Sequence, residues 1–189
     1  TLLNERSTDD VAMLGKLKNS VLQPARLLAC DFKVDNRCYF GRQSGGERIA
    51  IIGDSHAQHL RPAAKLIAER LQKPVVIIEL GGFCPPFLDT LVFDKDRKLK
   101  KECIKAQTDS FRTLESDGVD TVFLAGRWRV YNSTYPSVSL LKGSTNTQDQ
   151  MEFAFQDALQ RTTEELKQRG LRFALIEQVP EATCDVKTE

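Results

Sequence analysis

The chain has 189 residues, a formal charge of +1, 41% hydrophobic residues and 28% charged residues. That balance fits one globular domain able to bury roughly 70% of the surface of its unfolded chain. It gives no electrostatic reason to expect nucleic acid or an anionic membrane as partner, and no apolar run approaches the ~20 residues of a membrane span. No secretory signal opens the sequence, and Thr1 is not an initiator methionine, so the chain is expected to be a piece of a longer protein.

Residues 1–47 read as an N-terminal linker or lid-like extension, with weak helical periodicity over 10–17 and a charged loop over 31–37. The cluster Ser44-Gly45-Gly46 turns the chain into the domain proper, 48–189. Ile49 to Ile52 is a short apolar run of the kind a parallel strand buried on both faces shows. After Gly53-Asp54-Ser55-His56, the residues Leu60, Ala63, Ala64, Ile67, Ala68 and Leu71 follow helical spacing, with Pro62 in the first turn. Ser55 therefore stands between a buried strand and a helix N-terminus, a geometry that nucleophilic serines use. A serine there also reads as an ordinary helix cap.

Pro74 to Leu80 is a second strand, leaving through Gly81-Gly82-Phe83-Cys84-Pro85-Pro86. Residues 93–102 read as a solvated loop. Cys103 to Leu114 reads as a helix with Ile104, Thr108, Phe111 and Leu114 on one face. Asp120 to Ala125 is a third strand, followed by Gly126-Arg127-Trp128 and a long loop over 131–146. The longest helix spans 148–168, with Met151, Ala154, Phe155, Ala158, Leu159 and Thr162 as its buried stripe and Gly170 at its end. Leu171 to Ile176 is a fourth strand.

This alternation of strand and helix predicts an α/β domain, a flavodoxin-like parallel sheet with helices on both faces. In such sheets the site lies at the strands' C-terminal ends, near the switch in strand order. That rule alone gathers Ser55, Gly81, Gly82, Arg127 and Trp128. A dinucleotide site is excluded, because no Gly-x-Gly-x-x-Gly follows the first strand.

The five cysteines match no zinc spacing, and two neighbouring histidines offer little else for a metal, so none is expected. Two disulfides in an oxidising compartment are favoured over free thiols. Local loop closure selects Cys30–Cys38 and Cys84–Cys103 among the possible pairings, leaving Cys184 over.

Gly53-Asp54-Ser55-His56 resembles the first sequence block of the SGNH, or GDSL, hydrolases. Together with Gly82-Phe83-Cys84-Pro85-Pro86 and Phe123-Leu124-Ala125-Gly126-Arg127-Trp128, it resembles the SGNH domain fused to acyltransferase-3 membrane proteins, which O-acetylate lipopolysaccharide and other cell-surface glycans. The resemblance implies Ser55 as nucleophile and an oxyanion hole from the backbone N–H groups of Ser55 and of Gly82 or Gly81. It places Asp54, His56, Arg127 and Trp128 at the site lining. It further implies an acetyl donor drawn ultimately from acetyl-CoA with no cofactor bound in this domain, and a glycan acceptor. The acyltransferase-3 membrane domain would lie in the same polypeptide, and the location would be the periplasmic face of a bacterial inner membrane.

Two departures accompany it. The third block holds Gly126-Arg127-Trp128 where many SGNH enzymes place an oxyanion asparagine, so the Trp128 indole or Arg127 guanidinium is a substitute donor to test. No Asp-x-x-His occurs in the sequence, whose histidines are His56 and His59. With the absent fifth strand and the odd Cys184, this leads us to expect that the sequence stops before the last strand and the Asp-x-x-His block. The expected function is glycan O-acyl transfer; a free secreted esterase and a noncatalytic carbohydrate-binding domain are the alternatives.

Overall fold

Residues 49–52 can be apolar at every position only if both faces of their strand are covered, and the computed structural model shows how. It describes residues 29–42, 47–134, 138–143 and 145–177. The expected helix over 10–17, the turn at 44–46 and Cys184 lie outside them. β3 (Arg48–Gly53) has β4 (Val75–Glu79) on one side and β6 (Val119–Ala125) on the other, all parallel, and β8 (Arg172–Ile176) extends the parallel set beyond β6. Alternate residues serve opposite layers. Ile49 and Ile51 join Val75, Ile77, Ala64 and Ala68 under α1 (Ser55–Gln58) and α2 (Arg61–Leu71). Ala50 and Ile52 join Val76, Ile78, Phe111, Leu114, Met151 and Leu166 under α3 (Lys101–Arg112) and α5 (Gln148–Gln168). Ile51, Ile52, Ile77 and Ile78 are all but fully buried, each contributing roughly 1.5–3 kcal/mol.

The expected flavodoxin-like arrangement is present, with an addition on one edge. Residues 31–37, expected as a charged loop, instead contribute to a hairpin of β1 (Phe32–Val34) and β2 (Arg37–Phe40), and β2 pairs antiparallel with β4. The six-stranded order is β1-β2-β4-β3-β6-β8, so the sheet draws on both sides of the expected boundary at 47/48. The hairpin was hidden because its outer strand is exposed and short, and the Asp35-Asn36 turn makes the stretch look polar. The Cys30–Cys38 disulfide ties its base. Arg37 fastens it across to Asp117 and Thr113 beyond the end of α3.

Three further expectations need correction. Within 93–102, β5 (Phe93–Asp94) pairs with β7 (Val138–Ser139), and Phe93 is buried. The 131–146 stretch is likewise anchored, by β7 and by Tyr131 at the end of α4 (Trp128–Tyr131). The buried face of α3 is Cys103, Gln107, Ser110 and Phe111, not a stripe through Ile104 and Thr108. Gln107 points inward because its amide donates to the Pro85 carbonyl at 3.1 Å and accepts from the Thr90 N–H at 3.2 Å. A fully satisfied buried amide is stable, and apolar periodicity cannot register it. The long helix keeps its predicted bounds, closed by a Thr147–Gln150 capping box.

Candidate active site

The chain goes from β3 to β4 on one side and then returns past β3 to β6. The switch in strand order thus falls at β3, and the exits of β3, β4 and β6 meet at one edge. Gly53 is required there. A Cβ on it would stand 1.9 Å from the Ala125 carbonyl oxygen, so only glycine lets β3 and β6 close this tightly. The Gly53 carbonyl in turn accepts from the Leu80 N–H at 2.8 Å, drawing in the exit of β4.

Asp54 joins the exits of β3 and β6. Its carboxylate is buried, and three donors converge on it: the His56 N–H on Oδ1 at 2.8 Å, and the Arg127 N–H at 2.9 Å and Tyr131 O–H at 2.6 Å on Oδ2. Burial first, and the Asp54 charge second, push the Tyr131 phenol far above its ordinary range, so it remains a donor. Sequence reasoning left Tyr131 in a loop. The signal available was Asp54 itself, a strong N-cap residue ahead of a helix.

With Asp54 as the N-cap of α1, Ser55 is the first helical residue and not the cap. This removes the ordinary explanation for a serine here. Ser55 is exposed, and its hydroxyl makes no hydrogen bond among the described residues. Neither histidine engages it. His56 Nδ1 lies 3.4 Å from Asp54 Oδ1, misaligned for a hydrogen bond, and the exposed His59 ring sits 5.8 Å from that of His56.

Beyond β4, Gly81 takes φ +91, a conformation suited to glycine, and opens a turn closed by the Cys84 N–H on its carbonyl at 3.4 Å. Gly81 and Gly82 are exposed. Lys100 Nζ donates to the Gly82 carbonyl at 2.9 Å, and the Cys84–Cys103 disulfide ties the turn to α3. Eliminating that bridge by a Cys84→Ser/Cys103→Ser double substitution should lower the unfolding free energy by about 2–4 kcal/mol. It should also speed amide exchange at 81–84 before the sheet opens. An unchanged denaturation midpoint would show that the bridge does not hold the turn.

Beyond β6, a Cβ added at Gly126 would stand 3.3 Å from the Trp128 ring and 3.4 Å from Pro86, so the second and third blocks lie close together. The Trp128 indole N–H, weighed above as an oxyanion donor, is committed to the Ile176 carbonyl at 2.7 Å. The ring stacks with Phe87 at 5.9 Å. Trp128 thus ties the end of β8 to the site instead of pointing a donor at it. No group of His, Cys, Asp and Glu able to hold a metal occurs among the described residues, nor does a helix long and apolar enough to cross a membrane.

Three strand exits carrying Gly-Asp-Ser, Gly-Gly-Phe-Cys-Pro-Pro and Gly-Arg-Trp lie at one edge of the sheet, and the model of the SGNH domain fused to AT3 domains matches residues 25–188. The chain belongs to that family. The periplasmic domain of the Salmonella ser. Paratyphi A lipopolysaccharide acetyltransferase is a similar solved structure. The two share 19% sequence identity with a TM-score of 0.49, over 93% of this chain and 60% of that domain. The chain thus spans less than two thirds of the length of that neighbour. No curated protein matches it. In this SGNH domain the first-block serine is Ser55 and the third block ends in Arg127-Trp128.

Proposed function

We propose that this SGNH domain transfers an acyl group, most simply acetyl, to a hydroxyl of a cell-surface polysaccharide through an ester on Ser55. The observation that carries the reading is the placement of Ser55. It is exposed at the first position of a helix, relieved of capping by Asp54, at the edge where β3, β4 and β6 end. There its own N–H, and that of Gly82 or Gly81, can meet the oxyanion that forms when Oγ adds to the acyl carbonyl. Gly81 is the stronger of the two assignments, because it alone adopts the left-handed conformation. Family membership supports an AT3 membrane domain in the same polypeptide, delivering acetyl drawn from acetyl-CoA, with this domain on the periplasmic side. As the ester forms, the donor's acyl bond breaks and its leaving group departs with the Ser55 proton; a sugar hydroxyl then adds to the ester carbonyl and gives its proton to the departing Ser55 Oγ, restoring the serine.

The test is the partition of products. The full-length protein in membranes, given an acyl donor and soluble bacterial polysaccharide, should yield more acylated sugar than free acid. Free acid alone, whatever the acceptor, would mark an esterase in place of a transferase.

A further inference from the structure

The turn that carries Gly81 and Gly82 is built with a residue in the wrong place for its own backbone. Gly81 accepts from the Cys84 N–H, which makes Gly82 and Phe83 the two central residues. Gly82 lies outside the left-handed region, whereas Phe83 has φ 59. A four-residue turn whose second central residue alone of the central pair has positive φ calls for Gly or Asn there. Here glycines fill the two preceding positions and a bulky aromatic takes the strained one. The other non-glycine residues of positive φ are Asp35, Gln72, Asp89 and Arg97, all polar, and Gln72 ends a helix. Phe83 stands apart among the described residues. Its ring is not placed there to fill the core, for it is 37% exposed in a run with Gly81 and Gly82, which are exposed too.

The turn is also held at its middle and at its end. Lys100 Nζ bonds the Gly82 carbonyl, and Cys84 is buried in its disulfide to Cys103. A strained residue persists only where its surroundings over-determine it, and such residues gather at functional sites. Leu80, three residues before Phe83, is hydrogen-bonded to Gly53, two residues before Ser55.

We infer that the Phe83 ring is a platform on which the apolar C–H face of a pyranose lies beside Ser55, an inference that rests on the acyl-transfer reading above. The polarised C–H groups of a sugar ring suit the negative face of an aromatic ring. The open, polar surroundings, with Lys100 and Glu102 at the rim, suit the hydroxyls of a sugar. A fatty chain would need an enclosed apolar channel instead.

The 189-residue protein tests this directly. The probes are methyl β-glucopyranoside, methyl α-galactopyranoside and methyl α-rhamnopyranoside, read by chemical-shift changes at residues 81–84 in the wild type. At least one should bind at millimolar concentration. Phe83→Leu, which keeps apolar bulk, should weaken that binding at least tenfold, and Phe83→Trp should retain it. Phe83→Gly should abolish it while leaving Tm unchanged or higher, since the strain is relieved. Binding by none of the three glycosides, or binding untouched in Phe83→Leu, overturns the inference. So does a Phe83→Gly variant that binds normally but melts more than about 5 °C lower, because Phe83 would then be packing. Ser55→Ala should bind like the wild type. If the full-length Ser55→Ala protein still transfers acyl groups, the Ser55 ester of the reading above fails while sugar recognition by Phe83 stands; loss of binding in the Phe83 variants is unaffected by that result.

Discussion

Ser55→Ala should reduce acyl transfer by the full-length protein by on the order of 10⁴-fold or more, while moving Tm by less than about 2 °C. The size follows from removing the atom that carries the acyl group, after which the oxyanion donors alone remain. The silence in stability follows from geometry. Ser55 is exposed, makes no side-chain hydrogen bond among the described residues and is not the cap; alanine is also the best helix former at that position. A variant that kept wild-type turnover would sink the nucleophile assignment. One that lost activity by melting would show that Ser55 is structural. The 189 residues alone should hydrolyse p-nitrophenyl acetate near the background rate, since neither His56 nor His59 reaches the serine as a hydrogen-bonded base. Ser55-dependent hydrolysis well above background would assign that base to His59.

Asp54→Asn should lower the unfolding free energy by about 2–4 kcal/mol and depress activity as well. Three donors converge on two carboxylate oxygens. An asparagine offers one oxygen and turns an NH₂ group towards at least one of those donors, leaving it buried and unpaired. The tie between the β3 and β6 exits runs through these bonds, so the Ser55 turn should lose its fixed orientation too. Tyr131→Phe removes one donor and leaves Asp54 two, so its effect should be about 1–2 kcal/mol, and the two substitutions should be markedly non-additive. Chemical denaturation of the single and double variants measures this. An Asp54→Asn protein as stable as the wild type would mean that the carboxylate is not what joins the strand exits.

The central sheet was legible because its chemistry is local. Runs such as 49–52 and 75–78 are apolar on both faces, and the long helix opens with its own cap, so composition along a few residues determines each element. What escaped depends on distant partners. The β1–β2 hairpin exists because β4 offers it an edge, Gln107 is buried because Pro85 and Thr90 answer its amide, and Tyr131 is buried because Asp54 lies 77 positions away. Within the site, Ser55 and the glycine-rich turn could be named from sequence. The division of labour between Asp54 as cap and clamp and Trp128 as a tie to β8 could not, since both are decided by where individual hydrogen bonds end.

The direction of the two outermost strands has a practical consequence for anyone tethering this protein. β1 runs parallel to β4, so the chain arrives at residue 29 beside the base of the sheet, where Asp31 meets Tyr39 and Gly41. β8 delivers Glu177 at the opposite rim, next to the carbonyl that Trp128 holds. Five residues of strand separate those rims by about 16 Å. A tether leaving from residue 29 therefore sets out from the end of the sheet opposite the Ser55 rim. A tether leaving from residue 177 sets out from the Ser55 rim itself.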